Sequence, residues 1–235
     1  MIIYYTESSN LFNHSLFEPL VKNRANKSSD FVLLPEKLED TNVLRCPAHL
    51  ALLNNCYAVK SAFDYTLIWD GQTFKSPDYN QKFFDDYIYP RDAIKGLVSY
   101  TSPKLHFFAE KSVEMELTPA FFHKNDITQK TTVIGGCFDV GQHLREIECA
   151  MLLHEPCEID IKRGDSLYYV KFKTHEKIKF VPFQMVQEMS DLIMGHLSAM
   201  RNNKAAPSPL SWWYETTNAF YRKRFLNLIK QNLMV

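Results

Sequence analysis

Three groups of residues in this 235-residue chain carry side chains that could hold a metal or move a proton. The first is Cys46-x-x-His49 with Cys56 close behind, half of what a closed zinc site uses. Such a site takes four nitrogen or sulfur ligands, usually from two short-spaced pairs. The second pair is missing, because Cys137, Cys149 and Cys157 stand singly within strand-like patterns. The second group is His143, Glu146 and Glu148, with His154-Glu155 shortly after. Two His and one carboxylate make a non-haem iron triad, which needs a His-x-Asp or His-x-Glu step on a strand. No such step occurs, since His154 and Glu155 are adjacent and would project to opposite faces of a strand. The expectation for both groups is packed or exposed structural residues, with no metal and no cofactor. The third group is the pairs Glu114/Glu116 and Glu146/Glu148, each on one face if its segment is a strand. Paired carboxylates act as acid and base when their surroundings separate their pKa values; otherwise they form the solvated face of a sheet.

Nucleophile and phosphate signatures are missing: there is no Gly-x-Ser-x-Gly, Gly-x-x-x-x-Gly-Lys or Gly-x-Gly-x-x-Gly. Gly135-Gly136 instead falls inside a strand pattern, where glycine marks a bulge or bend. Near the C-terminus Trp212, Trp213, Tyr214 and Tyr221 accompany Arg222, Lys223 and Arg224. Aromatics beside cations can stack bases and hold phosphates. They can equally dock a terminal helix on the body, or form a contact surface for a partner protein. Residues 201–235 hold six Lys/Arg against one Glu, net +5, and the first 200 hold 21 against 26, net −5. The whole chain is therefore neutral, which disfavours nonspecific nucleic-acid binding except through that tail.

These residues are positioned by elements legible in the hydropathy pattern. Tyr57, Val59, Phe63, Tyr65, Leu67 and Trp69 alternate with polar residues, the period of a half-buried strand. Asp70-Gly71 then turns the chain into Thr73-Phe74. Further strands are expected at 31–34, 97–100, 104–110, 113–117, 131–140, 144–153, 158–162, 166–173 and 177–181. Arg163-Gly164-Asp165 reads as the turn of a second hairpin over 158–173. Cys46-Pro47 opens a short helical turn, and Ser76-Pro77-Asp78 starts another helix. Val186, Met189, Ile193 and Met200 recur at helical spacing.

The expected organisation is a lead-in over 1–30, a β-rich core over 31–182, an amphipathic helix over 183–202, and a basic, aromatic helical segment over 203–235. Many short strands without long helices between them point to a mainly β fold, an antiparallel sandwich or jelly-roll-like body with peripheral helices. The five cysteines are an odd number in a chain without a signal-peptide pattern, so they are expected reduced and buried. No stretch reaches the ~20 apolar residues that span a bilayer.

Four blocks carry a resemblance: Cys46-Pro-Ala-His-Leu, Phe63 to Gly71, Thr132-Val-Ile-Gly-Gly-Cys-Phe-Asp-Val, and Ile161 to Phe172. On these blocks, roughly residues 31–181, the chain resembles a family of proteins encoded by tailed bacteriophages, the T4-like cyanophages and their relatives. The block Ile161 to Phe172 is also similar to the strand-turn-strand of dUTPase and dCTP deaminase folds, but their Asp- and Ser-bearing nucleotide motifs have no counterpart here. The resemblance implies a phage protein of the host cytoplasm or virion and carries over no catalytic residue. The favoured expectation is a non-catalytic protein that binds a protein partner or itself, with Trp212 to Tyr214 and Tyr221 to Arg224 as its surface. The alternatives are a metal- or nucleotide-using enzyme on a cupin-like or dUTPase-like fold, and nucleic-acid binding through the basic tail.

Overall fold

Apolar–polar alternation dominates the chain, and the backbone answers it mainly with strands. The structure, a computed structural model, describes residues 1–7, 17–19, 46–79, 87–91, 94–100, 104–202 and 218–234. The chain begins with β1 (Ile2–Glu7), β2 (Phe17–Pro19), α1 (Pro47–Leu53), β3 (Cys56–Lys60), β4 (Tyr65–Trp69) and β5 (Phe74–Lys75). It continues through β6 (Ile88–Pro90), β7 (Leu97–Tyr100), β8 (Leu105–Phe108), β9 (Glu114–Pro119), α2 (Asp126–Lys130), β10 (Thr131–Ile134) and β11 (Gly136–Asp139). It ends with β12 (Cys149–Leu153), β13 (Cys157–Ile161), β14 (Ser166–Phe172), β15 (Lys179–Pro182), α3 (Gln187–Asn202) and α4 (Asn218–Gln231). The sheet orders are β11-β9-β14-β3-β2, β10-β12-β7-β6, β13-β4-β5 and β15-β1-β8. Only β1 and β15 run parallel among these described pairings. The mainly β, antiparallel architecture with few helices is as the strand pattern implied.

The long strand expected over Tyr57–Trp69 is two strands in different sheets. β3 pairs with β14 from Cys56↔Lys171 to Lys60↔Ser166, and β4 pairs with β13 from Tyr65↔Ile161 to Trp69↔Cys157. The expected hairpin over 158–173 is likewise corrected: its turn exists, but β13 and β14 pair with β4 and β3 rather than with each other. Together the four strands make one antiparallel ribbon bent at its middle. At the bend Ser61 N donates to Asp165 O at 2.9 Å, Gly164 N donates to Ser61 O at 3.0 Å, and Arg163 N donates to Asp64 Oδ1 at 2.6 Å. Gly164 has φ +92°, a left-handed conformation that favours glycine. The same apolar phase resumes at Phe63 after the break at Ser61-Ala62, which is why the sequence reads as a single strand. The Asp70-Gly71 hairpin is present, with Trp69↔Phe74 and Ile68↔Lys75 in register.

Within the lead-in expected over 1–30, residues 2–7 form β1, which lies between β15 and β8. Its alternating side chains serve two cores: Ile3 joins the main cluster and Tyr4 the second. Phe107 and Phe108 of β8 divide in the same way. The main cluster includes Val59, Leu67, Val98, Leu117, Val133, Cys149, Ile159 and Tyr168, so all four sheets close on it. On the other face of β1 and β8, Met189, Leu192 and Ile193 of α3 meet Phe225, Leu228 and Ile229 of α4. The strand expected at 31–34 and most of the helix expected after Ser76 lie outside the described residues.

Candidate functional site

The strand expected over 131–140 bends where its two glycines stand. β10 pairs with β12 in the four-stranded sheet, and after Gly135 the chain passes into β11, which pairs with β9 in the five-stranded sheet. A Cβ on Gly135 would come within 2.5 Å of the Leu117 carbonyl oxygen, so the backbone approaches too closely for any other residue. At this switch between sheets opens a cleft of about 390 Å³. Its apolar lining comes from Leu117, Ile134, Phe138 and Ala150 beside the Gly135-Gly136 backbone.

The charged wall follows from how the next loop is tied down. Asp139 Oδ1 accepts from Gly141 N at 2.8 Å and Val113 N at 3.2 Å, and its Oδ2 accepts from Ser112 Oγ at 2.7 Å. The Asp139 carbonyl accepts from Gln142 N and His143 N. Beyond this turn Leu144 and Ile147 are buried, in the second and main clusters respectively. Ile147 N also donates to Leu105 O at 2.8 Å. Pinned at 144 and 147, the loop leaves Arg145, Glu146 and Glu148 on the cleft, with buried His143 beside them. The strand expected over 144–153 therefore begins only at Cys149. Glu146 and Glu148 share the cleft without sharing a strand face.

Arg91, the residue after β6, completes the wall. Its Nε donates to Ser99 Oγ at 2.7 Å, and its guanidinium forms an ion pair with Glu148. Ser99 stands opposite Ala150 in the β7–β12 ladder, which fixes Arg91 over the cleft. Arg145 and Glu146 differ from this pair. Both are partly buried, yet neither makes a hydrogen bond or an ion pair among the described residues, and Arg145 Nε is buried without a partner. Burial pushes the Glu146 carboxyl above its ordinary range, against the pull of Lys104 and Arg145. Chemically the cleft offers one open cation, one open anion and an apolar floor.

The other candidates are placed elsewhere. His154 Nε2 lies 2.8 Å from Thr132 Oγ1 at the β12–β13 turn, away from the cleft lining. The side chain of His49 and all of Trp212, Trp213 and Tyr214 lie outside the described residues. Among the described residues no three His, Cys, Asp or Glu side chains are grouped to hold a metal. Cys56 and Cys149 are buried, and burial raises the Cys56 thiol to about 12. Cys137 is exposed, against expectation, because its side chain is on the outer face of edge strand β11, 3.6 Å from Lys173 Nζ. Lys173 also faces Glu114 and Glu116, so that carboxylate pair is the charged outer face of β9.

In the tail, Tyr221 packs against the second cluster and the Arg222 guanidinium donates to Glu110 O. Arg224 pairs with Glu188 of α3 at 2.6 Å, and Lys230 pairs with Glu110 at 2.9 Å. Lys223 is exposed. Arg91, Arg145 and Phe138 were not singled out by the sequence. Arg145 could have been noticed beside Glu146, whereas Arg91 meets Glu148 across 57 residues and left no local signal. No protein family, curated protein or solved structure matches the chain. Among the described residues no helix is long and apolar enough to cross a membrane.

Proposed function

We propose that this chain is a non-catalytic bacteriophage protein that works by binding a protein partner, and that the glycine-floored cleft is its contact site. One observation carries the reading: Arg145 and Glu146, opposite in charge and partly buried, line the same cleft without a hydrogen bond or ion pair among the described residues. Leaving partly buried charges unpaired costs stability, and native folds keep few such groups. A concave, partly apolar site with a few convergent polar groups is the usual form of a binding pocket. The phage assignment is supported by the sequence blocks named above, three of which, Phe63 to Gly71, Thr132 to Val140 and Ile161 to Phe172, build the switch and the ribbon. The basic tail is a weaker contact surface, since Arg222 and Arg224 are engaged within the molecule.

The test is co-purification of the full-length protein with a lysate of phage-infected cells, followed by native mass spectrometry. A defined hetero- or homo-complex is expected for the wild type and for K223Q and R224Q, and is lost in R145Q and E146Q. Capture that follows the tail substitutions instead would overturn the cleft as contact site. Turnover of a nucleotide or a metal-dependent substrate would overturn the non-catalytic reading.

A further inference from the structure

We infer that the cleft recognises a zwitterion: a carboxylate and an ammonium group held side by side, with an apolar group attached. The inference rests on the cleft being a binding site and names what it binds. Arg145 and Glu146 are near enough for Arg145 to favour the ionised Glu146, yet they form no ion pair with each other. On the same wall Arg91 and Glu148 do close into a pair, and Arg91 is further held by Ser99. One half of the wall is thus satisfied by the protein and the other half is held open. Arg145 presents donors to a carboxylate and Glu146 presents an acceptor to an ammonium group.

The sign balance selects the ligand class. The lining residues Arg91, Arg145, Glu146 and Glu148 sum to zero formal charge. With Arg91 closed on Glu148, a phosphoryl group would meet the open Arg145 but also the open carboxylate of Glu146 beside it, and like charges in a part-buried site repel strongly. A zwitterion meets each open group with its opposite. Ile134 and Phe138 then offer contact to an aliphatic or aromatic substituent, and the cleft of about 390 Å³ is large enough for an amino-acid-sized ligand. This chemistry has two sources: a free α-amino acid, or neighbouring acidic and basic side chains on a partner segment.

Isothermal titration of the full-length protein separates them. The probes are leucine, N-acetylleucine (carboxylate only), leucinamide (ammonium only), a peptide blocked at both ends carrying adjacent Asp and Lys, and inorganic phosphate and AMP. A zwitterionic probe is expected to bind, with each singly charged leucine analogue roughly tenfold or more weaker, the usual weight of one charge-assisted hydrogen bond. In R145Q leucine and leucinamide should bind alike, and in E146Q leucine and N-acetylleucine should. R145K, which keeps the charge, should restore part of the preference, and circular dichroism on each variant establishes that the fold is retained. Tighter binding of leucine identifies a free amino acid as the source, and tighter binding of the blocked peptide identifies a partner segment. Preference for phosphate or AMP, or no binding of any zwitterion at millimolar concentration, overturns the inference. If partner capture still depends on Arg145 and Glu146 in that event, the binding-site reading survives and only the ligand class is wrong.

Discussion

The sheet-switch cleft and the C-terminal helical layer both concentrate charge, and the fold treats the two in opposite ways. In the helical layer Arg222, Arg224 and Lys230 reach Glu110 and Glu188, and Tyr4 Oη donates to the same Glu110 at 2.9 Å. These contacts fasten α4 to the strands and to α3, above a shared apolar seam. In the cleft, Arg91 and Glu148 are paired while Arg145 and Glu146 are not. Of the region that looks most like an interaction surface in sequence, Tyr221, Arg222 and Arg224 among the described residues are engaged in holding the molecule together. The region that looks bland keeps charges open. What distinguishes a binding group from a structural one is whether the fold supplies its partner, and clustering along the chain does not report that.

The contrast can be broken by substitution, starting where the expected effect is largest. Phe225 is 1% exposed and packs edge-on against Phe108 and Phe183. Phe225→Ala should lower unfolding stability by about 3–5 kcal/mol in a denaturant titration, as large aromatic deletions do. An effect below about 1 kcal/mol would mean that the helical layer is not cooperative with the sheets.

Acid should act next, through β8. Burial pushes the His106 imidazole down from 6.5 to about 4, and its Nδ1 has no partner. The unfolded chain then binds more protons between those values, so stability is full above about pH 6.5 and falls as pH drops toward 4. The loss from this group is roughly 3 kcal/mol over that window. His106→Phe should flatten the pH dependence of thermal unfolding there, and an unchanged slope would assign acid sensitivity to other groups.

At the cleft floor, Gly135→Ala forces a methyl group onto the Leu117 carbonyl. A destabilisation of about 1–3 kcal/mol is expected, the range for overpacking, together with weakened ligand binding. Smaller still is the Arg224–Glu188 pair, exposed at 53% and 48%. A double-mutant cycle should give it about 0.2–1 kcal/mol. Smallest of all for stability are Arg145→Gln and Glu146→Gln. Neither breaks a hydrogen bond or ion pair among the described residues, so melting temperature should hold or rise while binding is lost. A clear drop in melting temperature for either would show that the open charges are structural after all.

Much of the fold was legible from periodicity, because alternation reports one-sided burial wherever a strand lies on a core. The Asp70-Gly71 turn and the bend at Gly135 were legible for a local reason, the conformations and close approaches that glycine permits. Pairing was not. The Arg163-Gly164-Asp165 turn is visible, yet β14 finds β3 and β9 rather than β13, and partner choice depends on the whole core. β1 was missed because six residues at a polar N-terminus carry too short a pattern to outweigh their neighbours. In the cleft, His143, Glu146 and Glu148 were noticed as metal-ligand types. Their relevance here comes instead from Arg145 and Arg91, whose roles depend on which carboxylates the loop and the β6 strand bring within reach.

The bent ribbon has a consequence for how the chain is made. Asp64 and Arg163, which meet at its bend, are separated by 99 residues. A ribosome therefore releases β3 and β4 long before β14 and β13 exist, and each waits with one edge unpaired, although β2 and β5 are at hand for the other. Long-range pairing of this kind folds slowly and leaves strand edges open to other chains. Fragments ending before Phe172 should accordingly aggregate, and expression should improve where translation outpaces encounters between nascent chains.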